Sequence, residues 1–167
     1  WSYAASKTAE EHLAFAYLHE HQLPITILRP FNIYGPGQKG EGAVKDLISL
    51  ALSNKPLEIT GNGEQTRSWC YIKDMVEAIL LSSENTKAIG KIFNVGGEDD
   101  PISIRDLAKL IITISGSDSE LIEIPKRNAE IQDRSPDTSA AKKILGFKTT
   151  VGLVEGIEKT IDWTKKQ

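Results

Sequence analysis

Short β-branched apolar runs alternate with longer amphipathic stretches along the whole chain. That alternation constrains the fold most. Ile25-Thr26-Ile27-Leu28-Arg29, Leu57-Glu58-Ile59, Lys91-Ile92-Phe93-Asn94-Val95 and Leu121-Ile122-Glu123-Ile124 read as strands. Between them, Val44, Leu47, Ile48 and Ala51 fall on one face of a helix over about 43–53. Ile104, Leu107, Ala108 and Ile111 stripe another helix, and Leu153, Ile157 and Ile161 a last one. A helix from the start of the chain to about His21 precedes the first strand, and Pro24 blocks its continuation. The order predicts an α/β domain. With 167 residues, the chain is long enough to bury a real core.

Several local readings follow. Pro30 to Gly37 is an irregular loop after a strand, the position where α/β sheets bind ligands, so Asn32 is a candidate ligand contact or a turn residue. Thr66 to Ile72 alternates like one half-buried strand, which puts Arg67, Trp69 and Tyr71 on one face. A guanidinium beside aromatics suits a phosphate and a flat ring. Asp74, with Glu77 three residues on, reads as the cap of a helix carrying Met75, Val76, Ile79 and Leu80. Ser103 starts the next helix. Asp137 caps a short helix stopped by Gly146. Arg134 stands in a polar stretch from Lys126 to Asp137, where it could reach an anion.

Charge and composition narrow the partners. The formal net charge is −3 and no Lys/Arg-rich run occurs, which argues against nucleic acid or an anionic membrane. No apolar run is long enough to span a bilayer. A single cysteine, Cys70, leaves no intrachain disulfide and fits a cytoplasmic setting. His12, His19 and His21 form no metal-binding pattern, so no metal is expected.

Tyr3 and Lys7 lie four residues apart, on one face of the first helix. Free tyrosine, with a pKa of about 10, is a poor base near neutrality; a fixed positive charge alongside stabilises the tyrosinate. Such a pair can move a proton to or from a sugar or alcohol hydroxyl.

Six motifs then occur in order: Tyr3-x-x-x-Lys7, Arg29-Pro30-Phe31-Asn32-x-Tyr34-Gly35-Pro36, Gly61-x-Gly63-x-Gln65-x-Arg67, Tyr71-x-x-Asp74, Asn94-x-Gly96 and Arg134-x-x-Asp137. Together they resemble the C-terminal half of an extended short-chain dehydrogenase/reductase, of the NAD-dependent epimerase/dehydratase kind that acts on nucleotide sugars. The resemblance covers essentially the whole chain. It implies a fold made of the last helix and strand of a Rossmann-type parallel sheet, residues 1–37, followed by a small α/β nucleotide-sugar-binding domain, residues 38–167. It implies NAD as cofactor, with Tyr3 as catalytic acid or base, Lys7 on the nicotinamide ribose and Pro30 near the nicotinamide. It implies Asn32, Arg67 and Arg134 as contacts to the sugar nucleotide, the arginines on its pyrophosphate, with Val44 and Leu47 near its base.

Trp1-Ser2-Tyr3-x-x-Ser6-Lys7 is similar to enzymes of UDP-glucose and UDP-glucuronate, both 4-epimerases and decarboxylases. Readings left open are a dTDP-hexose 4,6-dehydratase and a non-catalytic nucleotide-sugar-binding module. A ketoreductase of small alcohols is disfavoured by the paired arginines. The glycine-rich dinucleotide fingerprint, the acidic ribose ligand and the catalytic Ser/Thr of such enzymes precede the tyrosine and are not among these residues. The expectation is therefore a C-terminal piece of a homodimeric enzyme, which alone binds NAD weakly and does not turn over.

Overall fold

In the computed structural model, which describes residues 2–126 and 131–167, helix α1 spans Ser2–His21. It is uninterrupted by Pro or Gly and ends where Gln22 adopts a left-handed φ of 56°. Gln22 Nε2 donates to His19 O at 2.9 Å. None of its side chains is fully buried; Leu13 and Tyr17 are exposed, and Phe15 and Leu18 are half-buried.

Strand β1 (Ile27–Pro30) pairs in parallel with β6 (Ile92–Val95), in the register Ile27 with Ile92 through Pro30 with Val95. Between them in sequence come β2 (Ile33–Tyr34), α2 (Ala43–Leu52), β3 (Leu57–Thr60), β4 (Thr66–Arg67), β5 (Cys70–Tyr71) and α3 (Ile72–Glu84). After β6 follow β7 (Ile102–Ser103), α4 (Ile104–Ser115), β8 (Leu121–Ile124), β9 (Asp133–Arg134), α5 (Ser139–Leu145) and α6 (Leu153–Thr164). β2 pairs with β5, and β3 with β8, both in parallel. β4 lies between antiparallel β7 and parallel β9. Parallel pairs joined through helices make this an α/β fold.

Two apolar cores hold it. The larger packs α2, α4 and α6 on β3 through Val44, Leu47, Ile48, Leu57, Leu107, Ile111, Ile157 and Ile161. Here the helical stripes point where their spacing predicts. The second gathers Phe93, Val95, Ala141, Leu145 and Phe147, with Leu28 of β1 and Met75 of α3 against them. Ser103 caps α4 by accepting from Asp106 N at 3.0 Å. Gly146 closes α5 in the left-handed region. Thr138 holds the N-cap position of α5, while the Asp137 carboxylate accepts from Ser139 N at 2.9 Å.

Tyr34 ties the ends of the fold together. Its ring is buried edge-on to Tyr71, and its hydroxyl donates to Leu153 O at 3.2 Å at the start of α6. Gly156 makes room for it: a Cβ at that position would collide with the phenol oxygen.

Three local expectations change. Thr66 to Ile72 is not one strand: it breaks at Ser68-Trp69 into β4 and β5, and the helix begins at Ile72. Tyr71 therefore turns into the core, away from the cavity that Arg67 and Trp69 line, while Trp69 also packs against that core. The loop after β1 contains a strand, β2, whose Tyr34 is core. Asp74 does not cap: α3 starts two residues earlier, with Tyr71 at its N-cap. Asp74 is instead 1% exposed and accepts three bonds. These come from Thr150 N (3.0 Å), Thr150 Oγ1 (2.7 Å) and Val151 N (3.3 Å). Those three donors offset the cost of burying a carboxylate. The face of α3 that goes inside is Asp74, Ala78 and Ser82, so Val76, Ile79 and Leu80 point outward.

Candidate functional site

Two neighbouring cavities hold the site residues that the resemblance implies, while Tyr71 lies in the core. The first, of about 700 Å³, is lined by Tyr3, Lys7, Pro30, Phe31 and Arg134 among others. The second, of about 540 Å³, is lined by Asn32, Val44, Leu47, Arg67 and Trp69, with Glu58, Thr60 and Gln65. The boundary between them is the Phe31-Asn32 step after β1.

In the first cavity α1 supplies Tyr3 and Lys7 from one face. Lys7 Nζ lies 5.9 Å from the Tyr3 ring centroid. It is also bonded to Glu10 Oε2 at 2.7 Å, and that carboxylate holds the ammonium pKa above its ordinary value. Tyr3 is 71% exposed. Opposite, Arg29 grips Glu11 through two bonds of 2.6 Å, Nε to Oε1 and Nη2 to Oε2. The hydrogen bond from Arg29 keeps the Glu11 carboxyl below the usual carboxylate range. Arg134 stands 5.7 Å over the Phe31 ring, a cation–π distance.

In the second cavity the walls are rigid. Asn32 has φ 47°, a left-handed conformation that Asn tolerates better than most residues. Its Nδ2 donates to Ser68 O at 2.8 Å, and its carbonyl accepts from Cys70 N at 3.2 Å. Asn32 thus does the turn work and still borders the cavity. Val44 and Leu47 are core residues of α2 whose edges form its floor. Gln65 is buried and donates to Thr60 O at 3.2 Å. Arg67 donates to Thr66 O (2.6 Å), Gln132 O (3.0 Å) and Ile131 O (2.8 Å), which fixes the guanidinium at the rim.

Arg67 and Arg134 are Cα partners in the parallel β4–β9 pair. Two residues separated by 67 positions thus become neighbours, one bordering each cavity. Buried Cys70 lies behind this region, its thiol pushed up to about 12 by burial. Among the described residues no group of three or more His, Cys, Asp or Glu is arranged to hold a metal ion, and no helix is long and apolar enough to cross a membrane. Reading the sequence missed the Glu11–Arg29 pair. The signal was there in part, because Tyr3, Lys7 and Glu11 repeat at four-residue spacing on α1.

Comparison with known proteins gives a consistent result. The NAD dependent epimerase/dehydratase family matches over residues 1–96. The UDP-N-acetyl-alpha-D-glucosaminuronate decarboxylase of Bacillus cytotoxicus is 36% identical, across 99% of this chain and 54% of that protein. The UDP-glucuronate 4-epimerase of Thermodesulfobacterium geofontis is 30% identical, across 98% and 50%. The crystal structure of UDP-glucuronic acid 4-epimerase from Bacillus cereus, in complex with UDP-glucuronic acid and NAD, superposes with a TM-score of 0.91 at 34% identity, across 98% of this chain and 52% of that one. The chain spans about half the length of the relatives it matches.

Proposed function

The chain belongs to the NAD-dependent epimerase/dehydratase family, and from that premise we propose that it carries the proton-transfer pair and the nucleotide-sugar cleft of an enzyme that oxidises a UDP-hexose or UDP-hexuronate at C4, with epimerisation or decarboxylation as the outcome. The carrying observation is the register of Arg67 with Arg134 where the two cavities meet. A diphosphate needs fixed cationic donors on more than one side, and guanidinium forks match its oxygens. With a diphosphate between them, the sugar extends toward Tyr3 and the nucleoside toward Val44 and Leu47. Asn32, at the step between the cavities, is set to contact the sugar nucleotide.

The residues of the first cavity fit the nicotinamide-ribose end of NAD. Tyr3 and Lys7 offer a phenol and an ammonium to ribose hydroxyls, and Pro30 and Phe31 offer an apolar face to a flat ring. NAD, when bound, takes the hydride from C4 of the sugar. Tyr3 Oη accepts the 4-hydroxyl proton and returns it, while Lys7 keeps a positive charge beside the phenolate. The Lys7 ammonium has three donors, so it can reach a ribose hydroxyl while bonded to Glu10. In this reading residues 1–37 form the cofactor-facing end and residues 38–167 the nucleotide-sugar part. Exposed Leu13 and Tyr17 on α1 suit a homodimer formed through that helix. The NAD and UDP-sugar held by the Bacillus cereus relative support the choice of both ligands.

The test is thermal stabilisation by UDP, UDP-glucose, UDP-glucuronate and dTDP-glucose, each with and without NAD. The expected result is a rise in melting temperature with a UDP-sugar that disappears in Arg67→Ala and in Arg134→Ala. A larger rise with dTDP-glucose would move the reading to a 4,6-dehydratase. No rise with any nucleotide sugar would overturn it.

A further inference from the structure

We propose that Phe31 is a positioning residue for Arg134: its ring holds the guanidinium at the boundary of the two cavities, so that a diphosphate meets an arginine already in place. For its consequence, this rests on the reading of Arg134 as a diphosphate ligand.

The backbone around Arg134 is fixed on both sides. Asp133 and Arg134 pair with Thr66 and Arg67, and Thr66 Oγ1 donates to Asp133 Oδ1 at 2.7 Å. Ser68 Oγ donates to Ser135 Oγ at 3.1 Å. Pro136 packs on Gly96, where an added Cβ would collide with its ring, and Asn94 Nδ2 donates to Asp137 O at 3.1 Å. Arg134 itself is exposed. An exposed arginine keeps many rotamers, so a fixed backbone alone gives the guanidinium no direction.

Phe31 is a fixed platform beside it. Its backbone N donates to Val95 O at 2.8 Å, which carries the β1–β6 pairing one residue past Pro30. Its Cβ lies against Gly96, where an added Cβ would stand 3.1 Å away. Asn32, the next residue, is bonded to Ser68 O. Phe31 and Pro136 thus share one glycine as their seat, and that seat brings the Arg134 segment to the ring. None of these contacts involves α1.

The two arginines are oriented by different chemistry. Arg67 gives N–H groups to the carbonyls of Thr66, Ile131 and Gln132. The guanidinium carbon of Arg134 lies over the Phe31 ring, 5.7 Å from its centroid. A cation–π contact draws on the charge and the ring face. It engages no oxygen acceptor that a phosphate would have to displace, so the ring supplies direction without competing for the N–H donors that a phosphate needs.

The experiment combines nuclear magnetic resonance with calorimetric titration of UDP, on this chain and without NAD. In the free protein, the Arg134 side-chain protons should carry an upfield ring-current shift that is lost in Phe31→Leu and kept in Phe31→Tyr. Phe31→Leu should weaken UDP binding by about 2–5-fold, the worth of an exposed cation–π contact. In an Arg134→Ala background the same change should weaken it no further, because Phe31 acts through Arg134. Unchanged Arg134 shifts in Phe31→Leu would overturn the proposal. So would an equal loss of affinity with and without Arg134, which would mean that Phe31 touches the ligand itself or holds the fold. If UDP does not bind the unaltered chain, the nucleotide-sugar reading fails, and the ring-current shift alone still decides whether Phe31 places Arg134.

Discussion

The two cavities are built in opposite ways. The one around Arg67 and Asn32 is walled by core residues and by side chains already bonded to the backbone: Asn32 to Ser68, Gln65 to Thr60, and Arg67 to Ile131 and Gln132. The one around Tyr3 and Lys7 has an exposed helix for a wall, with charged contacts in place of packing. Recognition of a charged, many-atom ligand rewards preorganised donors, because ordering them at binding costs affinity. Tyr3 and Lys7, the proposed proton-transfer pair, stand on the side that packs least in this structure, where a few directional contacts hold them. Binding and chemistry therefore respond to different kinds of damage.

The sharpest break of that contrast is Tyr3→Phe. In an enzyme that joins this chain to a dinucleotide-binding half, it should lower turnover by about 10²–10⁴-fold, the range of a lost general acid–base group, while leaving nucleotide-sugar affinity unchanged; initial rates and calorimetric titration of that enzyme check both halves. Next is Arg67→Ala. The loss of charge-assisted bonds should weaken nucleotide-sugar binding by about 10–100-fold, with Arg67→Lys intermediate because it keeps the charge and loses the fork.

Asp74→Ala tests stability alone. Thr150 and Val151 would lose their acceptor in a buried place, at a cost of about 2–4 kcal/mol by urea denaturation. By contrast, Glu11→Gln should cost under about 1 kcal/mol, as expected for a largely solvent-screened pair.

The smallest effect concerns Glu98. Burial raises its pKa, but bonds from Lys142 and from Thr149 more than offset this, and the carboxyl lies below its ordinary value. A depressed carboxylate contributes stability that is present above the ordinary carboxylate range and lost as pH falls through its lowered pKa. Melting temperature should therefore drop on acidification below about pH 4.5, and drop less steeply in Glu98→Gln.

The same contrast decides what could be read from the chain. Helices α2, α4 and α6 were legible because each has a stripe at helical spacing facing one core, as Val44, Leu47, Ile48 and Ala51 show. Strands β1, β3, β6 and β8 were legible as apolar runs. Asp74 was not, since its partners lie 76 and 77 residues away and its spacing to Glu77 mimics a cap. Nor was the break at Ser68-Trp69: alternation carries on through it, while Asn32 and the backbone of Gly97 close on it from segments distant in sequence. At the candidate site, motif order brought Tyr3, Lys7, Asn32, Arg67 and Arg134 to notice one by one. Their adjacency is a product of tertiary pairing: β4 against β9, and α1 against β1.

One glycine makes the far end of the chain matter to the candidate site. Because Gly156 leaves space for the Tyr34 phenol, α6 is latched to the strand two residues beyond Asn32. A methyl group added at 156 would push the tyrosine outward and tilt the cavity wall with it. Variation in the last helix, distant in sequence from every other residue of the candidate site, is thus a route by which the shape of that cavity can drift without any change at its lining.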